Sequence, residues 1–152
     1  MRTLTPLARQ RGLALVETAI TLPFLLFVML AASEVTSAFV TLTTLTKTVR
    51  DGARYAAEEA IDGSLTVNLT DALQNETKRL VVYGNKAGSG TPLVNGLTTG
   101  NVTVNAVGAD NIEVSVNYPY SGILGSVLPT FGFGSNISLL FNMNATVTMR
   151  AL

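Results

Sequence analysis

From Leu13 to Ala32 the chain runs for twenty residues with one charged side chain, Glu17. No other feature constrains it as tightly. In a helix rising 1.5 Å per residue, that run covers about 30 Å, the thickness of a bilayer's hydrocarbon core. A carboxylate inside such a segment costs about 2.5–3.5 kcal/mol on insertion scales, so Glu17 calls for a cation at its own depth. A cut after Gly12 supplies one. The new α-amino group of Leu13 then lies four residues before Glu17, in reach of its own carboxylate or that of a neighbouring chain. Pro23 removes the hydrogen bond to the Ala19 carbonyl and is expected to kink the helix, a defect that membrane helices tolerate.

Charge sets the orientation. Arg2, Arg9 and Arg11 precede the run without an acid among them, whereas Glu34 follows it and the next basic residue is Lys47. The positive-inside rule puts the N-terminus in the cytoplasm and the C-terminal part across the membrane. An uncleaved anchor is one alternative. A conventional secretory signal, cut after Ala31-Ala32-Ser33, is the other. Against the latter, the run exceeds the usual apolar stretch of about 7–15 residues and holds Glu17 within it. The 152 residues make one domain plus this anchor. Mean hydropathy is +0.39, high for a soluble domain of this size.

The inventory of reactive residues excludes most chemistry. There is no His and no Cys, which removes Ser-His-Asp catalysis, His- or Cys-ligated zinc, disulfides and thiol nucleophiles. No phosphate-binding or dinucleotide fingerprint occurs. Glu58-Glu59 and Asp110 with Glu113 read as helix-surface and turn charges, and Asp110-Asn111 lacks the spaced acidic loop that calcium requires. No catalytic, cofactor-binding or metal residues are assigned. Without residues 1–12 the chain carries seven basic against ten acidic side chains, which gives it no electrostatic claim on nucleic acid.

Past the run, Val35, Phe39, Leu42, Thr46, Val49, Ala53, Ala56 and Ala60 recur at alternating steps of four and three. This is one helical stripe, expected to face protein, with the small residues and Gly52 where another element comes close. The helix is expected to continue to about Ile61. A second, shorter helix is expected from Thr70 to Tyr83, with Leu69, Leu73 and Leu80 buried and Lys78 and Arg79 late. Period-two alternation follows: Val102 and Val104, a turn at Gly108–Asn111, then Ile112, Val114, Val116 and Tyr118, which together read as a hairpin. Pro119 to Ser135 reads as a long loop, with Phe131-Gly132-Phe133 at its tip. Ile137 to Met149 alternates as one closing strand, so the sheet is antiparallel with one wet face.

Arg11-Gly12-Leu13-Ala14-Leu15-Val16-Glu17 resembles the class III signal of type IV pilins: a short basic leader, Gly at the cut, and Glu fifth in the mature chain. With Thr18-Ala19-Ile20-Thr21-Leu22-Pro23-Phe24-Leu25-Leu26, and with Arg50-Asp51-Gly52-Ala53-Arg54-Tyr55-Ala56-Ala57 downstream, it is similar to the TadE-like pseudopilins and minor pilins of the tight-adherence (Tad, type IVc) pilus. The motifs cover about the first 60 residues; beyond them only the layout is alike. The resemblance implies a pilin-like α+β fold: a long N-terminal transmembrane helix, a short helix and a small antiparallel β-sheet. It divides the chain into a leader (1–12), a membrane segment (13–32) and a periplasmic domain (33–152). It implies processing between Gly12 and Leu13 by a prepilin peptidase, and an assembly role for Glu17. The implied partners are other Tad pilins and pseudopilins, the inner-membrane assembly platform and membrane lipid. The implied place is the bacterial inner membrane or the pilus itself, with no enzymatic activity. A signal-anchored periplasmic enzyme or ligand-binding β-domain is the reading from another class.

Overall fold

The computed structural model describes residues 7–62, 66–132 and 134–151, with the side chains of residues 7–13, 62 and 66 outside the description. The start of the leader and Phe133 therefore lie outside the described residues. The architecture is α+β: a long apolar helix, a short helix and a small antiparallel sheet. Two compact units divide the chain. One joins the helix up to Ser37 with Ser121–Leu139; the other joins Ala38–Tyr120 with the stretch from Leu140 onward.

Helix α1, Leu7–Glu59, is unbroken over 53 residues and passes through Pro23. Its threonines turn back on the helix. The hydroxyls of Thr36, Thr43, Thr44 and Thr46 each donate to the carbonyl four residues earlier, at 2.8–2.9 Å. The same bond occurs inside the apolar run, from Thr18 to the Ala14 carbonyl and from Thr21 to the Glu17 carbonyl.

In the second unit the core gathers on one track of α1, formed by Leu45, Val49, Ala53 and Ala56 and continued by Ala60 just past its end, all essentially inaccessible. This corrects the expected stripe. Val35 and Phe39 are each 70% exposed and Leu42 is exposed as well. The helix joins the buried core only from Leu45 onward, and the earlier members of the stripe lie outside the core of the described residues. A lipid-facing stripe and a core-facing stripe share one periodicity, so spacing could not separate them.

After the two-residue strands β1 (Ile61–Asp62) and β2 (Thr66–Val67), which pair antiparallel, comes α2, Asp71–Tyr83. Thr70 caps it by accepting the Leu73 N–H at 3.2 Å, and Asp71 stands where the helix dipole favours an acid. At the other end Gly84 takes the left-handed conformation and donates to the Leu80 carbonyl at 2.9 Å. The buried face consists of Leu73, Thr77, Val81 and Val82. Leu69 and Leu80 are only half-buried, and Lys78 and Arg79 stand before the last turn. The two helices meet at Gly52: a Cβ there would run into the Val81 side chain.

A 3-10 turn at Thr99–Asn101 leads into β3, Val102–Val107, which pairs with β4, Asn111–Tyr120. Gly108, at φ 70°, makes the turn between them. The inward residues are the expected ones: Val102, Val104, Ile112, Val114, Val116 and Tyr118. The strand β4 runs on through Pro119, where a loop was expected. Its pairing with β3 ends at Val102 opposite Val116, so beyond that point β4 has a neighbour on one side only and tolerates a residue without an N–H.

The expected closing strand is two strands. Ile137 and Ser138 form β6 and pair with β5, Val127–Leu128, in the first unit. Strand β7, Phe141–Arg150, pairs with β4 in the second unit. Alternation continues across the junction while the partner changes. Ile137 and Phe141 are accordingly exposed at 47% and 48%, whereas Met143 and Ala145 are buried. The Phe141 ring lies 5.0 Å from that of Tyr120.

The helix crossing gives a first prediction. Gly52→Val pushes a side chain into Val81 and should destabilise the domain by about 1–3 kcal/mol, the usual overpacking cost. Glu58→Ala, which loses only an exposed ion pair to Arg54, should stay within about 0.5 kcal/mol. Urea unfolding of the detergent-solubilised full chain, followed by tyrosine fluorescence, measures both. Equal midpoints for the two variants would mean that the helices do not cross there.

Candidate functional site

Three places in the chain hold polar groups in unusual settings. The first is the apolar run. Gly12 and Leu13 lie within the helical backbone of α1, one turn before Glu17. Glu17 stands on an exposed helical surface. Its surroundings on that surface are Leu15, Val16, Ile20, Leu22, Phe24 and Leu25, each more than half exposed. An 18-residue window of this helix has a mean hydropathy of 2.1 and no buried residue. A stable soluble domain does not leave so large an apolar surface in water, so the helix belongs in lipid or against other chains. The ion pairs Arg54–Glu58 and Arg150–Asp110 both lie elsewhere among the described residues. An amino group on Leu13 would fall on the same face as the Glu17 carboxylate, since residues four apart are helical neighbours.

The second place is Glu34, which the sequence reading treated only as the first charge after the run. It is 4% exposed. Part of its cover is the segment Ser121–Leu139. The Leu124 N–H donates to Glu34 Oε2 at 3.4 Å. Gly122 approaches so closely that a Cβ on it would collide with Glu34 Oε1 and stand 2.8 Å from the Leu139 side chain. The segment closes on itself through Gly125, whose N–H donates to the Gly122 carbonyl at 3.0 Å, and through Leu139, whose N–H donates to the Ser126 carbonyl at 2.9 Å. Further on, Thr130 donates to the Gly134 carbonyl at 2.7 Å, and Phe131 takes a φ of 51°, rare for a bulky residue. A Gly-Ile-Leu-Gly run looks like any turn in sequence; nothing in it names Glu34 as the partner.

The third place is Tyr55. Its hydroxyl donates to Glu76 Oε2 at 2.6 Å, and the Lys86 ammonium sits 4.2 Å from its ring centre. Burial, and then the bond to Glu76, hold the phenol in its neutral form and raise its pKa above the ordinary value of about 10. The group ties α1 to α2 and to the chain just after it. Beside it an open cleft of about 270 Å³ is lined by Glu59, Asn68, Thr70 and Glu76 among others. Glu76 is committed to Tyr55, so the cleft offers no paired acid and base. Among the described residues no group of three or more His, Cys, Asp or Glu could hold a metal ion. The turn acids separate too: Asp110 faces Arg150 at 3.6 Å, while Glu113 lies in the strand opposite Asn105 and Thr148.

Residues 12–54 match the family model described as TadE-like protein. The match takes in Gly12, Leu13, Glu17 and the Arg50–Arg54 stretch. No curated protein and no solved structure matches the chain.

Tyr55 yields a pH prediction. Its pKa is raised in the folded state, so the stability it contributes is complete below the unfolded value of about 10 and disappears as pH climbs through the folded value. The stability difference between wild type and Tyr55→Phe should therefore be flat from neutral pH to about 9 and shrink above 10. Denaturant midpoints across that range decide it; a difference that grows with alkalinity would contradict the assignment.

Proposed function

We propose, starting from a chain that is a TadE-like protein of the Tad pilus system by its residues 12–54, that it acts as a structural minor pilin or pseudopilin. The family is one of pilus components, not enzymes, and the long apolar N-terminal helix anchors the chain in a membrane. The proposal adds the role and its mechanism. A prepilin peptidase cuts between Gly12 and Leu13. The mature chain then sits in the bacterial inner membrane as a single span, N-terminus cytoplasmic and domain 33–152 periplasmic, from where it joins other Tad subunits, the assembly platform or the pilus.

One observation carries this reading: Glu17 stands on an exposed apolar helical surface, one turn after the Gly12–Leu13 bond. Buried in lipid or between helices, its charge needs a partner, because one buried ion alone costs several kcal/mol. Cleavage creates that partner. In a single chain the new ammonium neutralises its own Glu17; in an assembly it neutralises a neighbour's and so fixes the axial register of the two helices. Packing by apolar surface alone is tolerant of sliding, whereas one ion pair at a defined height is not.

Two variants test the two halves. Gly12→Asp should block maturation and leave a product twelve residues longer than the wild type co-expressed with a prepilin peptidase. Mass spectrometry of the mature N-terminus reads the outcome: Leu13 for the pilin, Glu34 for a secreted domain, Met1 for a plain anchor. Glu17→Ala removes the insertion cost of about 2.5–3.5 kcal/mol and should enter the membrane at least as well as wild type, yet fail to crosslink to pilus partners. Crosslinking at the wild-type level would end the register role.

A further inference from the structure

The turn at Gly122–Gly125 carries an apolar surface left open among the described residues. Ile123 is 70% exposed and Leu124 39%. The height of this turn along α1 is fixed, because Leu124 donates to Glu34 and Gly122 abuts the same carboxylate. Glu34 lies two residues after Ala32, about 3 Å beyond the end of the apolar run at 1.5 Å per residue. The hydrocarbon core is about 30 Å thick and the whole bilayer about 40–45 Å, so each interfacial layer extends several ångströms past the core. A helix that spans with residues 13–32 therefore holds Glu34 and the turn inside that layer. Val35, the next residue on α1, is also 70% exposed.

We propose that the Gly122–Gly125 turn is a membrane-contact element, which places Ile123 and Leu124 in the lipid interface beside the span. The occupant of this surface is the outer leaflet of the same bilayer, because the surface is continuous with the apolar helix that crosses it. Glu34 makes this placement workable. The turn lays backbone over the Glu34 carboxylate while its own apolar side chains stay exposed. The closeness requires Gly122, since any Cβ there meets Glu34 and Leu139. Interfacial apolar elements sink about 5–10 Å into the boundary between headgroups and acyl chains, a depth within reach of a side chain already held at that height. The consequence is a second attachment: the helix fixes depth, and the turn opposes a tilt that would lift Ile123 out of the interface.

This inference rests on reading residues 13–32 as the span, and the test separates the two. The chain has no Trp, so a single introduced indole reports alone. Full-length Ile123→Trp and Phe24→Trp are reconstituted in phosphatidylcholine–phosphatidylglycerol vesicles with bromines either near the glycerol end or near the methyl end of the acyl chains. Ile123→Trp should lose fluorescence to the shallow bromines, hardly to the deep ones, and resist aqueous iodide; Leu124→Trp replaces it if that variant fails to fold. Adding Gly122→Val should diminish the shallow quenching. Phe24→Trp should be quenched from within the bilayer. If Phe24→Trp is quenched but Ile123→Trp emits at long wavelength and yields to iodide, the turn faces water and the inference fails while the span stands. Emission at short wavelength that ignores both bromines and depends on the protein-to-lipid ratio would assign the turn to a second copy instead, and also overturn it. An unquenched Phe24→Trp would remove the span itself.

Discussion

Everything in the second unit depends on how thin α1 becomes where it enters the core. Gly52, Ala53, Ala56, Ala57 and Ala60 are buried, and they let α2 approach at Val81 while the sheet packs over the same track. A helix that stays broad along this stretch would hold α2 off and open a void under Leu73 and Val82, and cavities in a packed core are costly. The apolar side chains of β3, β4 and β7 then close on a surface whose relief is set by missing atoms. The second helix is held there twice, by this fit and by the Tyr55–Glu76 bond, which acts as a polar clasp at the edge of the contact.

The two acids of α1 before Ser37, Glu17 and Glu34, illustrate two solutions to one problem. A carboxylate beside lipid must be neutralised, paired or covered. Glu34 is covered, by the backbone of a segment nearly ninety residues further along the chain. Glu17 has no such cover among the described residues, and the proposed cleavage after Gly12 would supply its partner instead. On that proposal one acid is an internal matter of folding and the other a matter of assembly.

Local order was legible where a segment answers to its own sequence. Thr70 and Gly84 bracket α2 by capping chemistry, and Gly108 with its flanking alternation announced the β3–β4 hairpin. What stayed illegible was the identity of the partner. Val35 and Phe39 fit the stripe that Val49 and Ala53 continue, yet only the latter meet protein. Ile137 and Phe141 alternate in phase, yet pair with different strands. The same limit hid Glu34, because no local pattern marks a residue whose cover comes from Gly122 and Leu124. Of the candidate site, Gly12, Leu13 and Glu17 are singled out by their mutual spacing in the sequence, and the structure adds that they lie on one helix with Glu17 exposed.

The threonines of α1 carry one more consequence. By composition Thr36 to Thr48 is a polar stretch, yet each of Thr36, Thr43, Thr44 and Thr46 spends its proton on a carbonyl of its own helix. What such a residue then shows outward is chiefly a methyl group, with no donor left to satisfy. The surface beyond the apolar run thus continues the greasy coat of the run itself, interrupted by little that asks for water. Hydropathy scales, which count each of these hydroxyls as free, understate how far up the helix a neighbour could slide without meeting a thirsty group.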